Sequence, residues 1–277
     1  MRRASERLNL SQPAVTARIK TLEESLGADL FDRNAGMALT KRGERLTRYA
    51  EQFLQLTDLI HRDIADPEGI DLHLRIGVAE TVVQAWLPDF ISRLRRDFPR
   101  LDIEIVVDIS TNLREALLTR SVDLALLMGP VSEFSVDNMP LPAFDLAWFC
   151  AREAQLPDDP RALFLNNPVV TYARNTRPYR ELKTALYERY GPGVSLFPSS
   201  SLSACFRMVG ADLGVAALPR TLGTAEVEAG RVRLFDPGWH PDALHFTASY
   251  LGEPPNFLSR AAAAAAQEVA LDFDRKT

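Results

Sequence analysis

The tightest constraint on this chain lies between Ser11 and Gly27. Ser11 is a good helix N-cap. Pro13 is tolerated in the first turn because its missing N–H would find no helical partner there. Val15, Ile19, Leu22 and Leu26 then recur at spacings of four, three and four, which is one apolar stripe of an α-helix. The opposite face shows Pro13, Thr16, Ala17 and Lys20, with Arg18 on its flank and Gln12 at its start. A helix that enters a DNA major groove needs this mix: small side chains for close approach, polar tips for base edges, cations for phosphates. Upstream, Ala4 and Leu8 share a face of a short helical pattern that Asn9-Leu10 interrupts. Two helices joined by a tight turn, the second bearing such a face, make a helix-turn-helix.

Gly27 ends the second helix as a C-cap would. Leu30 to Arg33 and Met37 to Leu39 read as two short strands around Asn34-Ala35-Gly36, a small wing. The order LNLSQPAVTARIKTLEESLGADLFDRN…LTKRGERL closely resembles the N-terminal domain of LysR-type transcriptional regulators. The resemblance implies that Ser11, Gln12, Pro13, Ala14, Thr16 and Arg18 lie on or beside a DNA-reading helix. It also implies that Arg33 contacts the phosphate backbone. Lys20 joins that set by its place on the exposed face. A winged helix-turn-helix is thus expected over residues 1–42. Family members carry a further helix ahead of this stretch, so the expected domain is incomplete at its N-terminus. The alternative is a small-molecule binding module that has lost DNA binding with that helix.

Charge supports a basic head. Residues 1–48 carry ten Lys/Arg against six Asp/Glu, whereas the rest carries 22 against 31. Such a division fits nucleic-acid binding confined to the head. Thr40 then caps a helix that runs to about residue 64. Leu46, Tyr49, Phe53, Leu56 and Ile60 fall at alternate spacings of three and four, a seam suited to pairing with an identical helix. In the family this helix links and dimerises, which implies a homodimer over residues 43–66 and leaves tetramers open. Two heads would then read two half-sites of double-stranded operator DNA.

After the break at Asp66-Pro67-Glu68-Gly69 the pattern becomes α/β. Leu72 to Val78 alternates as a strand. A helix is expected over 82–98, and Leu101 to Ile109 alternates strictly. A helix over 112–119 opens on an Asn112-x-x-Glu115 capping box, and Val122 to Met128 is a buried strand. This is βαβαβ, the mark of a parallel sheet. A second block repeats the alternation, with strands at 148–150, 168–172, 194–197, 215–218 and 232–235 and helices over 179–190 and 199–210. The strand at 244–250 is expected to return to the first block, before a final helix over 257–273. Two α/β lobes resemble the effector domain of the same family, which is like a type 2 periplasmic binding protein. The expected domain spans 71–277, with lobe I over about 71–143 and 245–277 and lobe II over about 144–244.

In open α/β sheets, ligands bind beyond the carboxyl ends of strands, where helix N-termini offer free N–H groups. Four junctions qualify, at Ala79 to Val82, Ser110 to Asn112, Arg174 to Arg177 and Ser200 to Ser203, and Met128-Gly129 ends a strand beside them. The expected effector set is Glu80, Thr81, Val82, Ser110, Thr111, Met128, Gly129, Asn175, Thr176, Arg177, Ser201 and Leu202. Each Ser, Thr or Asn here is equally a plain helix cap. Helix N-termini with Arg174 or Arg177 favour a small organic or aromatic carboxylate. Glu80 is expected to accept a hydrogen bond from a donor on that ligand.

Catalytic signatures such as G-x-S-x-G, H-E-x-x-H, G-x-x-x-x-G-K and G-x-G-x-x-G are lacking. The four histidines are scattered, and Cys150 and Cys205 have no metal spacing, so no enzyme, cofactor or metal is expected. There is no secretory apolar segment and no run long enough to span a membrane. A cytoplasmic protein with no membrane partner is therefore expected.

Overall fold

The computed structural model describes residues 11–32, 38–47, 49, 50, 53, 73–252 and 256–276. The chain forms two compact units, Met1–Ile70 and Asp71–Thr277.

In the first unit, helix α1 spans Gln12–Leu26. The Ser11 side chain accepts from the Ala14 N–H at its start, and Gly27 closes it in the left-handed conformation at φ 60°. A side chain there would be strained, which is why glycine stops this helix. Val15 is buried and Ile19 half-buried, while Leu22 and Leu26 remain 43% and 50% exposed. The buried residue of the later turns is Glu23. Its carboxylate accepts from the Leu30 and Phe31 N–H groups at 2.8 and 3.2 Å, which draws the wing onto the helix. The wing pairs β1 (Phe31–Asp32) with β2 (Ala38–Leu39), antiparallel. Thr40 then caps the helix that opens at 41–47 by accepting from the Gly43 N–H at 3.0 Å. Of the dimer seam, Tyr49 and Phe53 are exposed. Leu56, Ile60 and Arg33 lie outside the described residues.

The second unit contains two five-stranded sheets. The first has the order β4-β3-β5-β12-β6. Its parallel strands are β3 (His73–Val78), β4 (Asp102–Val107) and β5 (Leu124–Met128). The antiparallel strands β12 (Phe246–Leu251) and β6 (Val136–Pro140) complete it. Helices α2 (Glu80–Ala85), α3 (Leu87–Asp97), α4 (Ser110–Leu118) and α9 (Phe257–Asp274) cover it. Ile76 and Val78 on β3 and Leu124 and Leu126 on β5 are fully buried, in one core with Phe90, Leu94, Leu113 and Leu117 from the helices. At the far end from the strand tips, Arg75 makes a paired contact with Asp123, at 3.0 Å from Nε and 2.8 Å from Nη2. Both partners are largely buried, so each satisfies a charge the other would leave stranded.

Two local expectations fail here for physical reasons. The helix expected over 82–98 breaks at Trp86, because Pro88 has no N–H to continue the ladder and its ring disfavours a preceding helical turn. The capping box at Asn112 does not form, since α4 begins two residues earlier. Asp108 instead accepts from the Ile109 N–H and from Asn112 Nδ2, at 2.7 and 2.9 Å.

The second sheet has the order β11-β7-β10-β8-β9. It comprises β7 (Leu146–Ala151), β8 (Val169–Tyr172), β9 (Leu196–Ser199), β10 (Val215–Pro219) and β11 (Val232–Phe235). Strands β9, β8 and β10 run parallel, and β7 runs antiparallel to β10 and β11. Helices α5 (Pro160–Asn166), α6 (Arg177–Tyr190), α7 (Leu202–Gly210) and α8 (Arg220–Glu228) cover its faces. Trp148, Phe164 and Trp239 cluster on one face, with ring centroids 4.9–6.2 Å apart. Phe149 and Phe206 meet edge-on across the other. The chain passes between the sheets twice, after β6 and before β12. The two passages are tied by paired backbone bonds between Phe144 and Leu244, at 3.0 and 2.9 Å.

Candidate effector site

The strand tips of both sheets face a shared cleft of about 500 Å³. Its floor is apolar: Leu244 from the second passage and Phe246 at the start of β12, Met128 at the end of β5 and Val131 beyond it, Tyr172 at the tip of β8 and Leu202 on α7. Gly129 closes the floor where no larger residue fits, since a Cβ would collide with Thr247 Oγ1.

Helix starts supply the polar rim. At α4, the N–H groups of Ser110 and Thr111 have no hydrogen-bond partner among the described residues. Ser110 Oγ accepts from the Met128 N–H at 2.9 Å and keeps its own proton to donate. Thr111 Oγ1 donates across the cleft to the Asn175 carbonyl at 3.2 Å. At α6, Thr176 accepts from the Tyr179 N–H, and Pro178 has no N–H to offer. At α7 the situation is different. Ser201 Oγ accepts from Ala204 N at 3.2 Å. Glu80, from the start of α2, reaches over and accepts from Leu202 N at 2.6 Å and Ser203 N at 3.2 Å. It also accepts from Ser201 Oγ, Ser203 Oγ and Gln84 Nε2 at 3.2, 3.1 and 3.0 Å. The Glu80 carboxylate is thus engaged with the second sheet's helix, Oε1 by four donors and Oε2 by the Leu202 N–H.

Charge on the rim is mixed. Arg177 is 3.4 Å from Glu181, Arg114 pairs with Glu133, and exposed Arg180 also lines the cleft. Asp108 is the acidic neighbour at the α4 end. Two buried groups sit by the floor. The Tyr172 hydroxyl is shielded from solvent and has no hydrogen-bond partner among the described residues. Burial drives its ionisation far up, with the nearby Cys205 adding to the shift. The Cys205 thiol donates to the Thr171 carbonyl and is pushed up to about 11, first by burial and then by the charge of Glu80.

Of the twelve expected effector residues, the cleft collects Glu80, Thr81, Ser110, Thr111, Met128, Gly129, Thr176, Arg177 and Leu202. Val82 is turned into the core of the first sheet. Asn175 and Ser201 stand behind the wall, one offering its carbonyl to Thr111 and the other capping α7. Arg174 is exposed and outside the lining.

Comparison with known proteins completes the assignment. Residues 67–271 match the LysR substrate binding domain, and residues 1–44 match the bacterial regulatory helix-turn-helix protein of the lysR family. The chain belongs to the LysR family of transcriptional regulators. It is 31% identical over 223 residues to the HTH-type transcriptional regulator YofA of Bacillus subtilis, covering 79% of this chain and 75% of that one. It is similar at 25% identity and a TM-score of 0.56 to HinK, a LysR family regulator from Pseudomonas aeruginosa, over 96% of this chain and 91% of that one. The fold is also that of CbnR, a LysR family regulator solved with its target DNA. That match has a TM-score of 0.63 at 18% identity, over 96% of this chain and 93% of CbnR. As a LysR regulator, the chain is a DNA-binding protein of transcription control with an effector-binding domain, and it is not an enzyme.

Within this LysR domain, sequence reasoning missed Tyr172, Arg114, Arg180 and Cys205 as cleft residues. Tyr172 was legible as a strand end. The two arginines sit one turn inside their helices, a placement that a search confined to helix starts passes over.

Proposed function

We propose that this regulator senses a small organic anion with an apolar or aromatic body, held between the two sheets of its effector domain. The observation that carries the reading is the α4 start. Two unpartnered N–H groups, at Ser110 and Thr111, and the Ser110 hydroxyl face a cleft whose floor is apolar. A helix start of this kind stabilises a carboxylate through its N–H groups and its dipole. Arg177 and Arg180 add positive charge to the same cleft. The head would read operator DNA through Ser11, Gln12, Pro13, Ala14, Thr16, Arg18 and Lys20 at α1, with Arg33 on phosphate. All of those at α1 except the half-buried Ala14 are exposed. Exposed Tyr49 and Phe53 support a dimer formed through the helix that follows. Among the described residues no helix is long and apolar enough to cross a membrane, and the proposed place of action is the cytoplasm, with the DNA.

The test is calorimetry of the full chain against a panel of small carboxylates, amines and neutral sugars, with a gel shift on the adjacent promoter in parallel. Saturable binding of carboxylates alone, with an altered gel shift, is the expected result. Binding only of amines or sugars would overturn the anion reading. An unchanged gel shift would remove the coupling to DNA.

A further inference from the structure

Glu80 is the unusual member of the rim. It is a carboxylate already seated in the kind of site that the cleft offers to a ligand's carboxylate. Its two oxygens take the Leu202 and Ser203 N–H groups, and Ser201 takes Ala204 N, so every free N–H of the first α7 turn is used. The Ser201 and Ser203 hydroxyls and Gln84 close around it. Gln84 Nε2 also donates to Ser203 Oγ at 2.8 Å, so residues from both sheets hold the carboxylate. The dipole at the α7 start is therefore compensated by a charge from the chain itself. A ligand's carboxylate that approached this end would find no free N–H in the first α7 turn and would meet a like charge instead. The α4 end meets the same cleft with its N–H groups open.

We infer that Glu80 is the specificity-determining residue of this sensor: it fills one of two anion positions from within, so the cleft selects monoanionic acids and rejects dianionic ones. The inference rests on the organic-anion reading above and adds the number of charges the ligand carries. It also accounts for a glutamate at the rim of a site built to attract anions, where a free carboxylate would weaken binding.

The test uses the full chain and matched pairs of acids, hexanoate against adipate and phenylacetate against phenylenediacetate, in calorimetry at fixed ionic strength. The wild type is expected to bind the monoacid of a pair at least tenfold more tightly. Glu80→Ala opens the α7 end and should bring the diacid level with the monoacid or above it. Glu80→Gln keeps the size and one acceptor oxygen but removes the charge, and should lose most of the discrimination even if the alanine variant folds poorly. Equal affinities within each pair in the wild type, or an unchanged ratio in both variants, would overturn the inference. If no acid of either kind binds the wild type, the organic-anion reading fails by itself. Sulfate then decides whether Glu80 fills an anion position: saturable sulfate stabilisation of Glu80→Ala over chloride, beyond any in the wild type, sustains that occupancy, and no gain overturns it.

Discussion

The starts of α4 and α7 face one cleft and carry similar chemistry, Ser110-Thr111 at one and Ser201-Leu202-Ser203 at the other. They differ in what occupies them. Glu80 crosses from the first sheet to fill the α7 end, whereas Ser110 and Thr111 keep their N–H groups for something outside the protein. The difference arises 121–123 residues away in sequence from the α7 serines and leucine, so no local pattern encodes it. A helix start is an anion site only after the rest of the chain has declined to use it.

The comparison is most directly broken by making the two ends alike. Ser110→Asp places a carboxylate at the α4 start while preserving an acceptor for the Met128 N–H. It should reduce organic-acid affinity by about a hundredfold, roughly 3 kcal/mol, in calorimetry. A loss below about threefold would take the α4 end out of the binding site.

The cleft floor can be distorted without touching either end. Gly129→Val would push a side chain into Thr247 Oγ1, and should cost about 2 kcal/mol of stability in denaturant unfolding. An unchanged midpoint would mean that the floor yields more readily than the close approach implies.

A smaller effect sharpens the picture of what the floor awaits. Tyr172→Phe deletes a buried hydroxyl with no partner among the described residues, and should raise the stability of the unliganded chain by about 1 kcal/mol. If it also weakens acid binding, the hydroxyl donates to the ligand. If stability falls, the hydroxyl has a partner in the folded chain after all.

The smallest effect reads the Glu80 charge directly. Cys205 lies beneath the α7 start, and Glu80 contributes to raising its thiol to about 11. Glu80→Gln should move the alkylation profile of Cys205 to lower pH, measured in a Cys150→Ser background. The sign for stability follows from the same shift. The folded chain holds the thiol proton more tightly than the unfolded chain, so this contribution is full below about pH 9 and is lost as pH rises through about 11. An unmoved profile would place the Glu80 charge too far away to matter.

Much of the fold was legible because burial leaves a periodic trace. The βαβαβ run from Leu74 to Met128 and the strand around Phe246 follow from apolar spacing alone. Strand β6 was hidden because Val136–Pro140 carries Asp137 and Asn138 on a half-exposed strand. Helix α5 was hidden because Asp158-Asp159-Pro160 reads as a solvated turn, although Asp159 in fact caps the helix by accepting from the Arg161 and Ala162 N–H groups. Strand β4 shows the converse: its alternation is clean, yet Ile105, Val106 and Val107 are all exposed because it is an edge strand. For the site, the helix starts were visible one by one. The occupancy of α7 by Glu80 was not, because it depends on how the two sheets meet, and neither was the inward turn of Val82, which depends on how α2 packs on its own sheet.

The most direct test is a crystal structure of the full chain with a monocarboxylate that calorimetry shows to bind. The account predicts the ligand's carboxylate on the Ser110 and Thr111 N–H groups, with Glu80 still on Leu202 and Ser203. A ligand carboxylate seated on Leu202 and Ser203, with Glu80 displaced, would contradict it.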